Sequence, residues 1–267
     1  VLLLDLPCKP DQDASPAERA IQRLLKSDPP QFMHPSLAEQ ITTGDMEADF
    51  DKLAKCDLII EAVIEQLPVK QALYKRLYDT VSENCVITSN TSTIPISLLT
   101  QEMPADFCAR FAITHYFNPV RYMRLLELVS GAETKPDILD RLAEFNDQVL
   151  GKGVVRCQDT PGFLGNRVGV FALQVGLHEA LASGIALEDA DALIGRPMGI
   201  PKTGVFGLYD LIGIDLMSDV VKSLATILPD GDAFHEVGFA PELVQQMIKD
   251  GYTGNKGGGG FYRESSN

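Results

Sequence analysis

The feature that most constrains the fold is a change of texture near residue 160. Before it, short apolar runs recur at Leu2–Leu4, Leu58–Val63, Val86–Ser89, Phe111–Thr114, Leu125–Val129 and Val154–Cys157, with amphipathic stretches between them. Runs of this length, apolar on successive residues, fit strands buried on both faces of a parallel sheet. Between them, Ser15–Lys26 opens on Ser-Pro, a first-turn pair, and Pro68–Glu83 places Val69, Leu73, Leu77 and Val81 at a spacing of four. Lys135–Leu150 is a further helix of this half. After Asp159-Thr160-Pro161-Gly162 the period is helical throughout: Phe163–Ala182, Leu187–Ile194, Leu208–Ile227 and Pro241–Lys249. The chain therefore reads as an α/β domain over residues 1–157, built on a Rossmann-type parallel sheet, followed by a smaller all-α domain over residues 158–267.

Charge and cysteine usage remove several function classes. Lys plus Arg is 23 and Asp plus Glu is 37, a formal charge of −14, which argues against binding nucleic acid by phosphate neutralisation. No apolar run reaches the 18 residues of a membrane span, and the opening Val1–Leu6 lacks the charged region and cleavage site of a signal peptide. The five Cys and four His are scattered without ligand spacing, so neither a disulfide framework nor a metal site is expected. A cytoplasmic, reducing setting follows as the expectation.

Several polar residues sit where a buried strand or a helix start would not choose them. Asp5 ends an early strand, where dinucleotide folds place a carboxylate on the adenosine ribose; many strands simply end in Asp at a turn. His115 ends one strand, and Glu127 falls in another strand of apolar residues, where a carboxylate is costly unless paired. Paired, the two give an oriented general base; on the spacing alone, a structural His–Glu bond that supports a loop is the favoured reading. Ser89-Asn90-Thr91-Ser92-Thr93 follows a strand's carboxyl end, a ligand-binding position in open α/β sheets, or else a polar turn before Pro95. Asn166 lies in the first turns of a helix, where an amide is a mediocre helix former and a side chain reaching into a cleft explains it better.

Taken in order, these segments resemble the L-3-hydroxyacyl-CoA dehydrogenase family of fatty-acid β-oxidation. The resemblance rests on Asp5, Glu61-Ala62-Val63-Ile64-Glu65 with Lys70, Ser89–Ser92, His115–Pro119 with Glu127, Asp159–Arg167, and Lys256–Tyr262, and it covers nearly the whole chain. It implies that His115 is the general base, Glu127 its orienting partner, and Ser92 and Asn166 polar groups around the substrate oxygen and the nicotinamide. It further implies an NAD site at Asp5, Glu65, Lys70, Ser92, Asn118 and Lys256. The substrate implied is an acyl-CoA, with Arg19, Arg23 and Lys26 as candidate cations for its anionic moiety, or else a solvated helix face.

Two departures qualify the match. No G-x-G-x-x-G occurs, and the family's first strand and glycine-rich turn would precede Val1, so the sequence is expected to lack one βα unit upstream. Removing that central strand would split the sheet. The second departure is the long segment Gly195–Gly204, which resembles the dehydrogenase part of larger bacterial proteins that also carry an enoyl-CoA hydratase. By analogy, pairing of two copies through the helical domain is implied. The same residues also suit a 3-hydroxybutyryl-CoA dehydrogenase of short-chain metabolism, or a family-derived binding protein whose catalysis has lapsed.

Overall fold

The computed structural model describes residues 1–200 and 202–263. The chain divides into two compact units, Val1–Thr160 and Pro161–Asn267.

In the first unit the strands form two sheets. β1 (Leu2–Asp5) pairs in parallel with β2 (Thr42–Asp45), Leu2 opposite Thr42 and Asp5 opposite Asp45. β3 (Leu58–Glu61), β4 (Val86–Ser89), β5 (Phe111–Tyr116), β6 (Leu125–Ser130) and β7 (Gly153–Gln158) lie in sequential order in a second sheet. All pairs are parallel except β5–β6. Their connection, residues 117–124, is shorter than the dozen or so residues a parallel crossover needs, so the chain turns straight back. β2 lacks an apolar run altogether; Thr42-Thr43-Gly44-Asp45 is strand because β1 needs a hydrogen-bonding neighbour.

α1 (Pro16–Lys26) starts on a capping box: the Ser15 hydroxyl accepts from the Glu18 amide at 3.2 Å, and Glu18 Oε2 accepts from the Ser15 amide at 2.8 Å. α2 (Leu67–Thr80) corrects the sequence expectation. Its buried face is Lys70, Tyr74 and Leu77, while Val69 is exposed. The polar ends of Lys70 and Tyr74 find a carboxylate inside, so the longer side chains win the core position over Val69. The Tyr74 ring packs edge-on to Phe111 at 5.2 Å, and Phe111 stacks with Phe107 of α4 (Ala105–Cys108) at 5.6 Å, while α3 (Ile96–Leu99) packs against α2. β4 and most of β5 are fully buried. α5 (Pro136–Glu144) continues into a π-turn over Phe145–Val149, where buried Asn146 accepts from the Tyr116 hydroxyl at 2.6 Å.

The second unit is helical: α6 (Gly165–Ser183), α7 (Leu187–Leu193), α8 (Phe206–Ile212), α9 (Ile214–Ile227) and α10 (Glu242–Lys249). The expected single helix over 208–227 breaks at Gly213, whose φ of 109° lies outside the helical region. Leu177, Phe206, Ile214 and Phe234 are fully enclosed at its centre. Two buried aspartates organise the connections by accepting backbone amides. Asp191 takes Val205, Phe206 and Gly207 at 2.7–2.9 Å, and Asp210 takes Phe261 and Tyr262 at 2.9 and 2.8 Å. Gly254 has a packing reason at the same place: a Cβ there would lie 2.5 Å from the Asp210 carbonyl oxygen. Among the described residues no helix is long and apolar enough to cross a membrane, and no cluster of His, Cys, Asp and Glu could hold a metal ion.

Candidate active site

The antiparallel turn-back of β5 into β6 places His115 directly opposite Glu127. The imidazole Nδ1 lies 2.6 Å from Glu127 Oε2, with His115 7% exposed and Glu127 fully buried. A carboxylate at that depth is stable only with a hydrogen-bond donor facing it, and the imidazole Nδ1–H is that donor. The Cys157 thiol of β7 stands 3.9 Å from the other carboxylate oxygen, and the Phe117 ring lies 4.6 Å from the imidazole. The pair thus fixes the tautomer: with Nδ1 committed to Glu127, Nε2 is the nitrogen that can take up a proton.

β4 is the strand next to β5, and the turn after it carries Ser92, half-buried. Its neighbours are firmly held. Thr91 and Thr93 donate their hydroxyls to Glu65 Oε1, the latter at 3.2 Å, and the Tyr116 amide donates to Asn90 Oδ1 at 2.9 Å. Burial alone would raise the Glu65 carboxyl, but Thr91, the Lys70 ammonium and Thr93 together outweigh it and hold it below the ordinary glutamate value. Lys70 is 1% exposed, and its ammonium meets Glu61 Oε1 at 2.7 Å and Glu65 Oε2 at 3.2 Å. It therefore stands behind Glu65 rather than on an open surface.

The remaining residues singled out from sequence stand on other elements of the two units. Asp5 ends β1, half-buried, and one of its oxygens accepts from the Leu6 amide at 2.7 Å. Asn118 is exposed in the loop after β5. Asn166 sits half-buried on the first turn of α6, next to Arg167, which pairs with Asp232 at 2.6 Å. Lys256 pairs with Asp215 at 2.7 Å within the helical unit. Sequence reasoning did not single out Glu61, Tyr74, Ser89 or Asn90 as individual site residues. The signal for Glu61 was present, since it too is an acidic residue closing an apolar strand.

The donors and acceptors suit a nicotinamide dinucleotide in part. A half-buried carboxylate at the carboxyl end of β1, with one oxygen fixed by a backbone amide, suits a ribose diol. The hydroxyl-rich turn after β4 suits a carboxamide or a carbonyl oxygen. A glycine-rich pyrophosphate cradle has no counterpart among these residues.

Comparison with known proteins assigns both parts of the chain to one family. Residues 3–160 match the family described as 3-hydroxyacyl-CoA dehydrogenase, NAD binding domain, and residues 162–264 match its C-terminal domain. A Rickettsia felis protein named as a putative fatty acid oxidation complex trifunctional enzyme is 40% identical over 99% of this chain, which spans only 37% of that relative's length. A probable 3-hydroxyacyl-CoA dehydrogenase of Deinococcus radiodurans is 36% identical over 99% of this chain and 76% of its own. Among solved structures, M. tuberculosis FadB2 superposes with a TM-score of 0.77 at 29% identity, covering 93% of this chain and 84% of that one. The 3-hydroxybutyryl-CoA dehydrogenase of Escherichia coli gives 0.76 at 28%, covering 99% and 55%. Both halves of the chain are thus accounted for, and the chain belongs to the 3-hydroxyacyl-CoA dehydrogenase family.

Proposed function

We propose that the protein catalyses NAD-dependent oxidation of L-3-hydroxyacyl-CoA to 3-oxoacyl-CoA in fatty-acid β-oxidation. The observation that carries this reading is the His115–Glu127 pair, a buried carboxylate 2.6 Å from an imidazole in a family NAD-binding domain. NAD, when bound, accepts the hydride from C3 of the substrate. His115 takes the hydroxyl proton at Nε2, and Glu127 stabilises the imidazolium that results. Ser92 and Asn166 orient the substrate oxygen and the nicotinamide. Asp5, Glu65, Asn118 and Lys256 hold the cofactor, with Lys70 acting on it through Glu65.

In this reading the protein includes an enoyl-CoA hydratase part, supported by the trifunctional name of its Rickettsia relative, works in the cytoplasm, and pairs through its helical domain. The similarity to the 3-hydroxybutyryl-CoA dehydrogenase of Escherichia coli favours a second substrate range, 3-hydroxybutyryl-CoA. The test is NADH oxidation by the intact protein with acetoacetyl-CoA and with longer 3-oxoacyl-CoA esters. Rates rising with chain length support the β-oxidation role, and a preference for the four-carbon ester supports the second. Absence of turnover with any ester leaves a family-derived binding protein.

A further inference from the structure

One buried cluster is not accounted for by proton transfer or by direct contact with the cofactor. Glu61 closes β3 at 3% exposure, and its carboxylate accepts from four donors. Oε1 takes the Lys70 ammonium and the Val63 amide, each at 2.7 Å; Oε2 takes the Tyr74 hydroxyl at 2.6 Å and the Ser89 hydroxyl at 2.7 Å. These donors come from the turn after β3, from α2 and from the end of β4. Lys70 and Tyr74 are almost wholly enclosed, so a charge is placed in the core where solvent cannot support it.

The connections run onward into the site. The Ser89 hydroxyl in turn accepts from the Thr91 amide at 3.2 Å, and the Thr91 hydroxyl accepts from the Ile94 amide at 3.0 Å. The Asn90 amide donates to the Glu61 carbonyl at 2.7 Å, while the Asn90 side chain holds the Tyr116 amide, one residue past His115. The turn that presents Ser92 and the strand end that presents His115 are therefore both registered against one residue.

We propose that Glu61 is a positioning residue for this site, setting the 89–93 turn and, through Asn90, the strand end at His115. Lys70 serves the same network by neutralising Glu61 and Glu65 together. The catalytic part of the proposal rests on the dehydrogenase reading; the structural part does not.

Glu61→Gln in the intact protein is the test, because the amide keeps the shape but cannot accept from all four donors. Two readouts are taken: amide hydrogen exchange of the unliganded protein, and kcat with the KM for NADH. Exchange over residues 89–94 and at Tyr116 is expected to accelerate, while kcat falls about tenfold to a hundredfold, the scale of loss from displaced catalytic groups. Combining Glu61→Gln with Lys70→Met should cost no more in kcat than the single change, since both act through one network. Glu102→Gln, which breaks the exposed pair with Lys75, should move neither readout. A folded Glu61→Gln protein with parental exchange, or with parental kcat, overturns the proposal. If Glu61→Gln fails to fold, Ser89→Ala decides by the same two readouts, and unchanged values overturn it. A parent protein without NADH oxidation sinks the dehydrogenase reading alone; exchange then decides the positioning of the turn.

Discussion

His115 and Glu127 are direct register partners across the antiparallel pair β5–β6, with Nδ1 2.6 Å from Oε2 and the carboxylate closed off from solvent. Because both groups stand on strands of one sheet, their separation is set by the ladder itself rather than by a mobile loop.

His115→Gln should lower kcat by about a hundredfold or more, the range expected on losing a general base, with NADH affinity nearly unchanged. Steady-state kinetics and NADH fluorescence titration of the same preparation separate the two. Equal losses in both quantities would contradict the assigned role.

Glu127→Gln tests orientation rather than proton uptake. The amide can still sit opposite Nδ1 but cannot stabilise an imidazolium, so kcat should drop on the order of tenfold to a hundredfold with the KM for NADH held. Parental kcat would leave Glu127 with only a packing role.

Glu65 makes stability pH-dependent in a direction that can be worked out. Its folded-state carboxyl lies below the ordinary value of 4.5, so its contribution is fully present above that value and is lost as pH falls through the depressed folded value. Glu65→Gln should therefore narrow its stability difference from the parent as denaturation is measured from pH 6 down to pH 3. A difference that stays constant across that range rules out the ionised carboxylate as the cause.

Gly260→Ala should destabilise the helical unit by about 1–3 kcal/mol, the usual cost of forcing extra volume into a packed site. A Cβ there would overlap the Asp210 carboxylate that holds the Phe261 and Tyr262 amides. Urea denaturation followed by helical ellipticity reads the loss; an unchanged midpoint would mean that the segment shifts freely.

The amino-acid order alone carried the two-part organisation, since apolar runs before residue 158 and a helical period after it are local patterns. It also carried His115 and Glu127, because a carboxylate in an apolar strand demands a partner and a histidine at a nearby strand end supplies one. What it could not carry were relations between segments far apart in the chain. β2 has no apolar run and exists only because β1 lies beside it. The buried face of α2 follows Lys70 and Tyr74 rather than the regular apolar spacing, because Glu61 waits for them in the core. Gly213 ends one helix and starts the next through a positive φ that residue identity permits but does not impose. Local pattern reports the cost of burying a group; only the folded chain determines which partner offsets that cost.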